Sequence, residues 1–271
     1  MKNSAADSVG TRLSTNCSLS AHQALRFNPP TMVDQAITIR PCHTVEEFEQ
    51  MVELEFLVWG FREKDVVPSQ MYVVAAKIGG QTMGAFVGGQ MVGFVLAYPG
   101  IRDSRVYLHS HMAAVLPEFR DLGIGRRLKL AQREDALARG ISLIEWTFDP
   151  LQIRNAYFNI CRLGIIARRY LVDVYGSTSS PLHAGLPTDR LVAEWHLTSE
   201  RVVAILNGNE VARGNTVERV HIVPDDLSSN CVADVQAKVR QQFMDLFAQG
   251  YVVTWFKREP DGCAYVLEPV T

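Results

Sequence analysis

The segment Val115-Leu-Pro-Glu-Phe-Arg-Asp-Leu-Gly-Ile-Gly-Arg-Arg-Leu128 sets the architecture of this chain. Residues Val106 to Val115 read as a strand, and Asp121 to Arg139 carry the spacing of an amphipathic helix, with Leu122, Leu128, Leu130, Ala131 and Ala136 among its apolar positions. The junction between them is Arg120-x-x-Gly123-x-Gly125. Glycines here let the backbone take dihedrals closed to other residues and approach a ligand closely. The first N–H groups of the helix have no internal partner, and the helix dipole adds partial positive charge, so the turn is an anion site. Hydrogen bonds to a charged group are worth roughly 1.5–3 kcal/mol each. Several amides, with Arg120, Arg126 and Arg127 beside them, could therefore hold a pyrophosphate. Local geometry has to hold it, because 27 basic against 29 acidic residues leave a net charge of −2 and no basic excess for nucleic acid or an anionic membrane. The same residues also fit a glycine-containing cap on an ordinary surface helix. The spacing is not G-x-G-x-x-G and the unit stands in the middle of the domain, which disfavours a dinucleotide-binding site, and the missing Gly-Lys-Ser/Thr excludes a P-loop.

Around this junction the pattern alternates between strands and helices. Strands are expected at 36–40, 83–88, 91–98, 141–148, 166–174 and 191–198. Helices are expected after the capping box Thr44-Val-Glu-Glu47, near 68–77, and from about 151 to 163, where Gly164 stops the last of them. Gly88-Gly89-Gln90 reads as a hairpin turn. The expected organisation is a flexible N-terminal tail over 1–35, an α/β domain over 36–199, and a small α/β extension over 200–271. The extension has a strand near 217–223, a helix near 232–249 and a hairpin at Pro260-Asp261-Gly262. Completing the sheet, covering an acceptor pocket and forming a homodimer contact are the roles open to it. Five scattered cysteines (Cys17, Cys42, Cys161, Cys231, Cys263) with no C-x-x-C pair argue against zinc and disulfides, and for a cytoplasmic setting. No apolar run reaches membrane-spanning length.

In context, Val115-x-Pro117, Arg120-x-x-Gly123-x-Gly125 and the helix, strand and helix ending at Gly164 resemble the core of the Gcn5-related N-acetyltransferase (GNAT) superfamily. The likeness covers roughly 160 residues. It implies a mixed, mostly antiparallel sheet with helices on both faces, and a strand that splays from its neighbour to admit pantetheine. By that likeness the main chain of Ala113, Ala114 and Val115 binds pantetheine. Arg120 and the amides of Leu122, Gly123, Ile124, Gly125 and Arg126 hold the pyrophosphate. A narrower likeness rests on His109-Ser-His-Met-Ala-Ala-Val-Leu-Pro117, Trp146-Thr-Phe-Asp-Pro150, Asn155-Ala-Tyr-Phe-Asn159, Leu163-Gly164 and Leu186-Pro-Thr-Asp-Arg190. These runs are similar to a bacterial subgroup of predicted acetyltransferases, some associated with N-succinylation of amino acids. The implied co-substrate is acetyl- or succinyl-coenzyme A, with no metal, and the implied acceptor is a small-molecule amine.

Amine acylation needs a deprotonated amine, stabilisation of the oxyanion and a proton for the leaving thiolate. His109 and His111 lie two apart on the strand leading to the turn, hence on one side. Their offsets from Val115 match the paired histidines of serotonin N-acetyltransferase, another superfamily member. Imidazole titrates near ~6.5, which suits a base acting directly or through water. Two polar residues filling a sheet face is the competing reading. Glu145 is the alternative base, while Asp149 could act similarly or cap the next helix. Superfamily members often carry a thiolate-protonating tyrosine four residues before the glycine that ends this helix; here the position is Ile160, and neither Tyr157 nor Tyr170 matches by spacing. Asn155 and Asn159 share a helix face and could bond the pantetheine amides. Arg168, Arg169 and Arg190 could meet a substrate carboxylate or be solvated charges. The four tryptophans and Cys161 read as core or pocket wall.

Overall fold

The computed structural model describes residues 36–181, 185–212, 214, 217–223, 231–260 and 262–269. The expected N-terminal tail, Asp261 of the final hairpin turn and 182–184 of the Gly176–Pro187 loop lie outside them. The described residues fall in one compact unit, Ala36–Thr271.

Strand β1 (Thr38–Pro41) leads to helix α1 (Val45–Trp59). The capping box forms as its sequence demands: Thr44 Oγ1 accepts from the Glu47 amide, and the Glu47 carboxylate accepts from the Thr44 amide. Helix α2 (Ser69–Lys77) and the hairpin β2 (Gln81–Val87) and β3 (Gln90–Arg102) follow. Gly88 and Gly89, at φ 55° and 84°, form the turn that a right-twisted hairpin prefers. Then come β4 (Arg105–Val115), a short 3₁₀ turn (Pro117–Phe119), α3 (Ile124–Ala138), β5 (Leu143–Phe148), α4 (Ile153–Tyr157), β6 (Tyr170–Leu171) and β7 (Arg190–His196). These seven strands form one sheet in the order β1-β2-β3-β4-β5-β7-β6, and only the β4–β5 pair is parallel. Helices cover both faces. Phe94 on β3 packs against Trp59 and Tyr72 of α1 and α2, whereas a Cβ on the preceding Gly93 would meet Leu128 of α3.

The rest of the chain supplies α5 (Glu200–Leu206), β8 (Glu218–Ile222), α6 (Val232–Ala248), β9 (Tyr251–Glu259) and β10 (Gly262–Pro269). The last three strands form a second sheet in the order β8-β10-β9. It shares one apolar core with β5 and β7: Phe243, Phe256 and Tyr265 cluster with Trp146 and Trp195. Paired backbone bonds between Ala167 and Val253 stitch the two sheets together, and Tyr265 Oη donates to the Pro150 carbonyl at 2.6 Å.

Several expectations need correction. Helix α3 starts at Ile124 rather than Asp121, because Asp121 and Gly123 both take positive φ (63° and 75°) in the turn before it. The expected 151–163 helix is one α-turn followed by a π-helical stretch over Phe158–Arg162, which shifts the face on which its later residues lie. The expected 166–174 strand is largely irregular, contributing single bridges at Ile166 and Ala167 and the two-residue β6. Helix α5 was not anticipated, although Ser199 caps it by accepting from the Val202 amide.

Candidate functional site

Strands β4 and β5 pair only at Leu108↔Ile144 and His109↔Glu145. Beyond that, β4 continues through Ser110 to Val115 and β5 through Trp146 to Phe148 with no bonds between them, so the two strands open as a V. β4 keeps its pairing with β3 on the other edge, interrupted by a bulge: Leu96 faces Met112 and Ala97 faces Ser110, leaving His111 as the extra residue. A cleft of about 750 Å³ occupies the V, and Ala113, Ala114 and Val115 line it.

Helix α3 runs antiparallel to β4 along this cleft. A Cβ on Gly125 would stand 3.9 Å from Val115 Cγ2, which marks the mouth, and Lys129 Nζ lies 2.7 Å from Ser110 Oγ, which marks the blind end. The first bond of the helical ladder runs from the Arg127 amide to the Gly123 carbonyl, so the amides of Ile124, Gly125 and Arg126 precede the ladder and are the donors offered at the mouth. A Cβ on Gly123 would meet nothing within 4 Å, so the turn is open to a ligand.

Most of the residues expected to hold the coenzyme converge here. Arg120, Gly123, Ile124, Gly125, Arg126, Asn155 and Asn159 all line the cleft. Asn159 is buried and Asn155 exposed, and both still face it despite the π-helical stretch. Leu122 is 52% exposed and its side chain is not part of the wall. Arg126 is anchored by the Leu206 carbonyl at 3.2 Å, with its Nε buried and unbonded. Arg127 turns away and donates to the Ile37 carbonyl at 2.7 Å. This fit of donors, glycines and an open strand edge suits a diphosphate carrying an extended amide arm.

His111 reaches the cleft, while His109 stands behind it with the two rings 6.3 Å apart; Tyr98 sits 5.9 Å from His111 on its other side. Burial pushes both imidazoles below their usual pKa. The His111 edge is open to the cleft, but surrounding protein replaces enough water to disfavour its charged form. It is therefore neutral near pH 7 and able to accept a proton.

Glu145, expected as an alternative base, is bound up elsewhere. It is 3% exposed, and Arg102 holds it through two bonds of 2.7 and 2.8 Å, with Arg169 at 2.6 Å. Burial raises its pKa, but the two guanidinium groups outweigh that and hold the carboxyl below the usual range. Such a carboxylate is a poor proton acceptor, and Glu145 is not part of the cleft wall. Arg168 and Arg169 also pair with Glu194, at 3.2 and 3.4 Å, so neither is the open cation that a substrate carboxylate would need. Asp149 Oδ1 accepts from the Leu151 amide at 2.8 Å, a local capping role. Ile160 is fully buried, and Tyr157 is 45% exposed. Trp59 and Trp146 are cleft wall, and Trp195 is core, donating to the Leu163 carbonyl. The Cys161 thiol donates to the Phe256 carbonyl at 3.1 Å.

Lys129 escaped the sequence reading. Helix α3 buries Ile124, Leu128, Lys129, Gln132 and Ala136, while the expected apolar positions Leu130 and Ala131 are only partly buried, Ala131 packing against the core. The signal was available: Lys129 stands four residues after Gly125, on the stripe that must face the sheet. Among the described residues there is no cluster of potential metal ligands, and no helix is long and apolar enough to cross a membrane.

Comparison with known proteins agrees with this geometry. Residues 41–158 match the profile described as the Acetyltransferase (GNAT) family. Among solved structures, a protein described as an acetyltransferase of that family from Desulfovibrio desulfuricans superposes with a TM-score of 0.50 at 16% identity, covering 60% of this chain and all of that one. The ribosomal-protein-S18-alanine N-acetyltransferase of Escherichia coli gives 0.49 at 13% identity over 60% of this chain and 96% of its own. No curated protein sequence matches. Residues 41–158 thus match the GNAT acetyltransferase profile, and the chain has the GNAT fold.

Proposed function

We propose that this chain is a cytoplasmic acyl-coenzyme A-dependent N-acyltransferase that passes an acetyl or succinyl group to the amine of a small molecule, an amino acid being the leading acceptor class. The observation that carries the reading is the V between β4 and β5, with the unladdered amides of α3 at its mouth. Ile124, Gly125 and Arg126 amides with Arg120 would hold the diphosphate, and the open edge of Ala113 to Val115 with Asn155 and Asn159 would hold the amide arm. The thioester supplies the activated acyl group. His111, neutral and at the bulge, takes the proton of the attacking amine directly or through a water that His109 helps orient. The N–C bond forms as the C–S bond breaks, and solvent returns a proton to the thiolate in place of the tyrosine absent at Ile160. Glu145 keeps its arginines aligned beneath this site and takes no proton.

Calorimetry with coenzyme A tests the site. Gly125→Glu places a side chain and a like charge where the diphosphate would lie, so binding is expected to vanish while circular dichroism stays unchanged. Affinity equal to wild type would remove the assignment. The buried Ile160 also favours a second reading, an acyl-coenzyme A-binding module without turnover. Thiol release across a panel of amines separates the two: binding with no release from any amine supports the module.

A further inference from the structure

The blind end of the V holds a set of polar groups that the proposed reaction does not use. Lys129 is 4% exposed and lines the cleft; its Nζ lies 2.7 Å from Ser110 Oγ and 3.9 Å from the centroid of the Trp146 ring. Ser110 and Trp146 are the first residues of β4 and β5 past their last pair, His109↔Glu145. The three therefore sit where the strands come together, deeper than Ala113 to Val115. Ser110 Oγ accepts from Lys129 and donates to Gln132 Oε1 at 3.2 Å, so the hydroxyl is occupied in both senses. Gln132 is fully buried, and its Nε2 has no partner. The nearby Asp135 is committed to Arg139 at 2.6 Å and to Gln81 at 2.7 Å.

Lys129 therefore has spare N–H donors at the cleft wall, while Gln132 stands behind that wall beside Gln81, whose Nε2 donates to the Gln132 carbonyl at 2.9 Å. Buried donors of this kind are costly unless something satisfies them. A buried ammonium with no counter-charge is costlier still, and burial alone pushes this amine down to about 7 with no neighbouring carboxylate to offset it. An arriving anion would supply both the acceptor and the charge. A ligand entering from the mouth with its diphosphate at α3 can bring only the far end of its acyl chain to this point.

We propose that Lys129, with Ser110 held from behind by Gln132, is a subsite for the free end of the acyl group, and that it selects donors whose acyl chain ends in a carboxylate, the half-thioesters of short dicarboxylic acids. This rests on the coenzyme lying in the V as argued above. Lys129 is the specificity-determining residue, and Trp146 closes the subsite over its ammonium.

The test compares succinyl-coenzyme A with butyryl-coenzyme A, which has the same number of acyl carbons and no charge, by calorimetry on the wild type and on Lys129→Met, with free coenzyme A as reference. Wild type is expected to bind the succinyl donor at least 10-fold more tightly than the butyryl donor. Lys129→Met is expected to lose that preference, holding butyryl- and free coenzyme A as before. Succinyl binding at pH 8 should also take up a proton in wild type and none in the variant. Ser110→Ala, which keeps the cavity intact, should weaken the preference in part. Equal wild-type affinity for the two donors, or a preference that survives in Lys129→Met, overturns the subsite while leaving the coenzyme site standing. Failure of free coenzyme A to bind either protein overturns the underlying reading and this one with it. A stable acyl adduct on Lys129 by intact mass also overturns it, because the amine would then be an acceptor.

Discussion

Lys129→Met has a consequence for stability that can be worked from the structure without any ligand. Methionine matches lysine closely in length and volume, so the cleft wall stays filled. The lysine amine falls from 10.5 in the unfolded chain to about 7 in the folded one, and burial is the cause. With the folded pKa depressed, the unfolded chain binds more protons between those two values, so wild-type stability rises with pH across that window. A difference of three to four pH units, at 1.36 kcal/mol each, makes the cost at or below pH 7 about 5 kcal/mol. Removing the amine relieves that cost but deprives Ser110 Oγ of a donor, a loss of about 1 kcal/mol, and the Trp146 ring of its cation, a loss of about 2 kcal/mol. The variant is therefore expected to be more stable than wild type by about 2 kcal/mol at pH 7. The advantage should shrink as pH rises above 7 and turn into a slight deficit by pH 10. Urea unfolding of both proteins from pH 6.5 to 10 measures this, and the other alkaline titrations cancel in the difference. A pH-independent difference, or a variant less stable at pH 7, would refute the claim that this ammonium is buried without a counter-charge.

Three further outcomes follow from the same contacts. His111→Gln should lower kcat/KM by about 10²–10⁴-fold and abolish the acidic limb of its pH profile, which in wild type lies below the usual histidine value because burial disfavours the imidazolium; an unchanged limb places the base elsewhere. Glu145→Gln should destabilise the fold by about 1–3 kcal/mol, tempered by solvent at the partly exposed Arg102 and Arg169, while thiol release continues; abolished turnover in a folded variant would restore Glu145 as the base. Glu55, fully buried against Tyr72 Oη and the Val67 amide, has its carboxyl raised by burial to about 7. The folded chain holds that proton more tightly, so wild-type stability should fall by about 3 kcal/mol from pH 4.5 to above 7, and Glu55→Gln should remove that slope from melting curves taken across this range.

Much of this fold could be read directly because local rules and tertiary packing agree. The capping box at Thr44 and Glu47, the Gly88-Gly89 turn and the strand-to-helix junction at Gly123 each need only a few adjacent residues. Where the reading failed, distant partners decided. Residues 166–174 have strand composition, but β7 pairs only Ile166 and the short Tyr170–Leu171, Ala167 turns instead to Val253 of the second sheet, and no regular ladder forms between them. The π-helical stretch after Tyr157 has no signature that periodicity could detect, since it reflects a one-residue insertion into the ladder. The β3–β4 hairpin turns on Asp103 and Ser104, both at positive φ, where asparagine or glycine would have announced it.

The site divides along the same line. Backbone-defined parts were legible: the glycines, the amides after Gly123 and the strand edge at Ala113 to Val115 are properties of a short stretch of chain. Side-chain chemistry was not, because charge pairing is set by register. Glu145 looked like a base until β7, β3 and the 166–174 segment delivered Glu194, Arg102 and Arg169 around it. Lys129 carried no signal of its own, and only the helix phase turned it inward. Both reversals come from one topological fact. A parallel β4–β5 pair needs a crossover helix between its strands, and α3, running back along β4, must lay one stripe against the opening it spans. Whatever residue stands at the sixth position after Gly123 is carried inward from the mouth, to the point where the strands rejoin. An apolar residue of the same size there would leave the end of the V uncharged, whereas a lysine keeps a charge waiting at its end. The identity of that single residue, rather than the phosphate turn, is thus where donor choice in this chain would be decided.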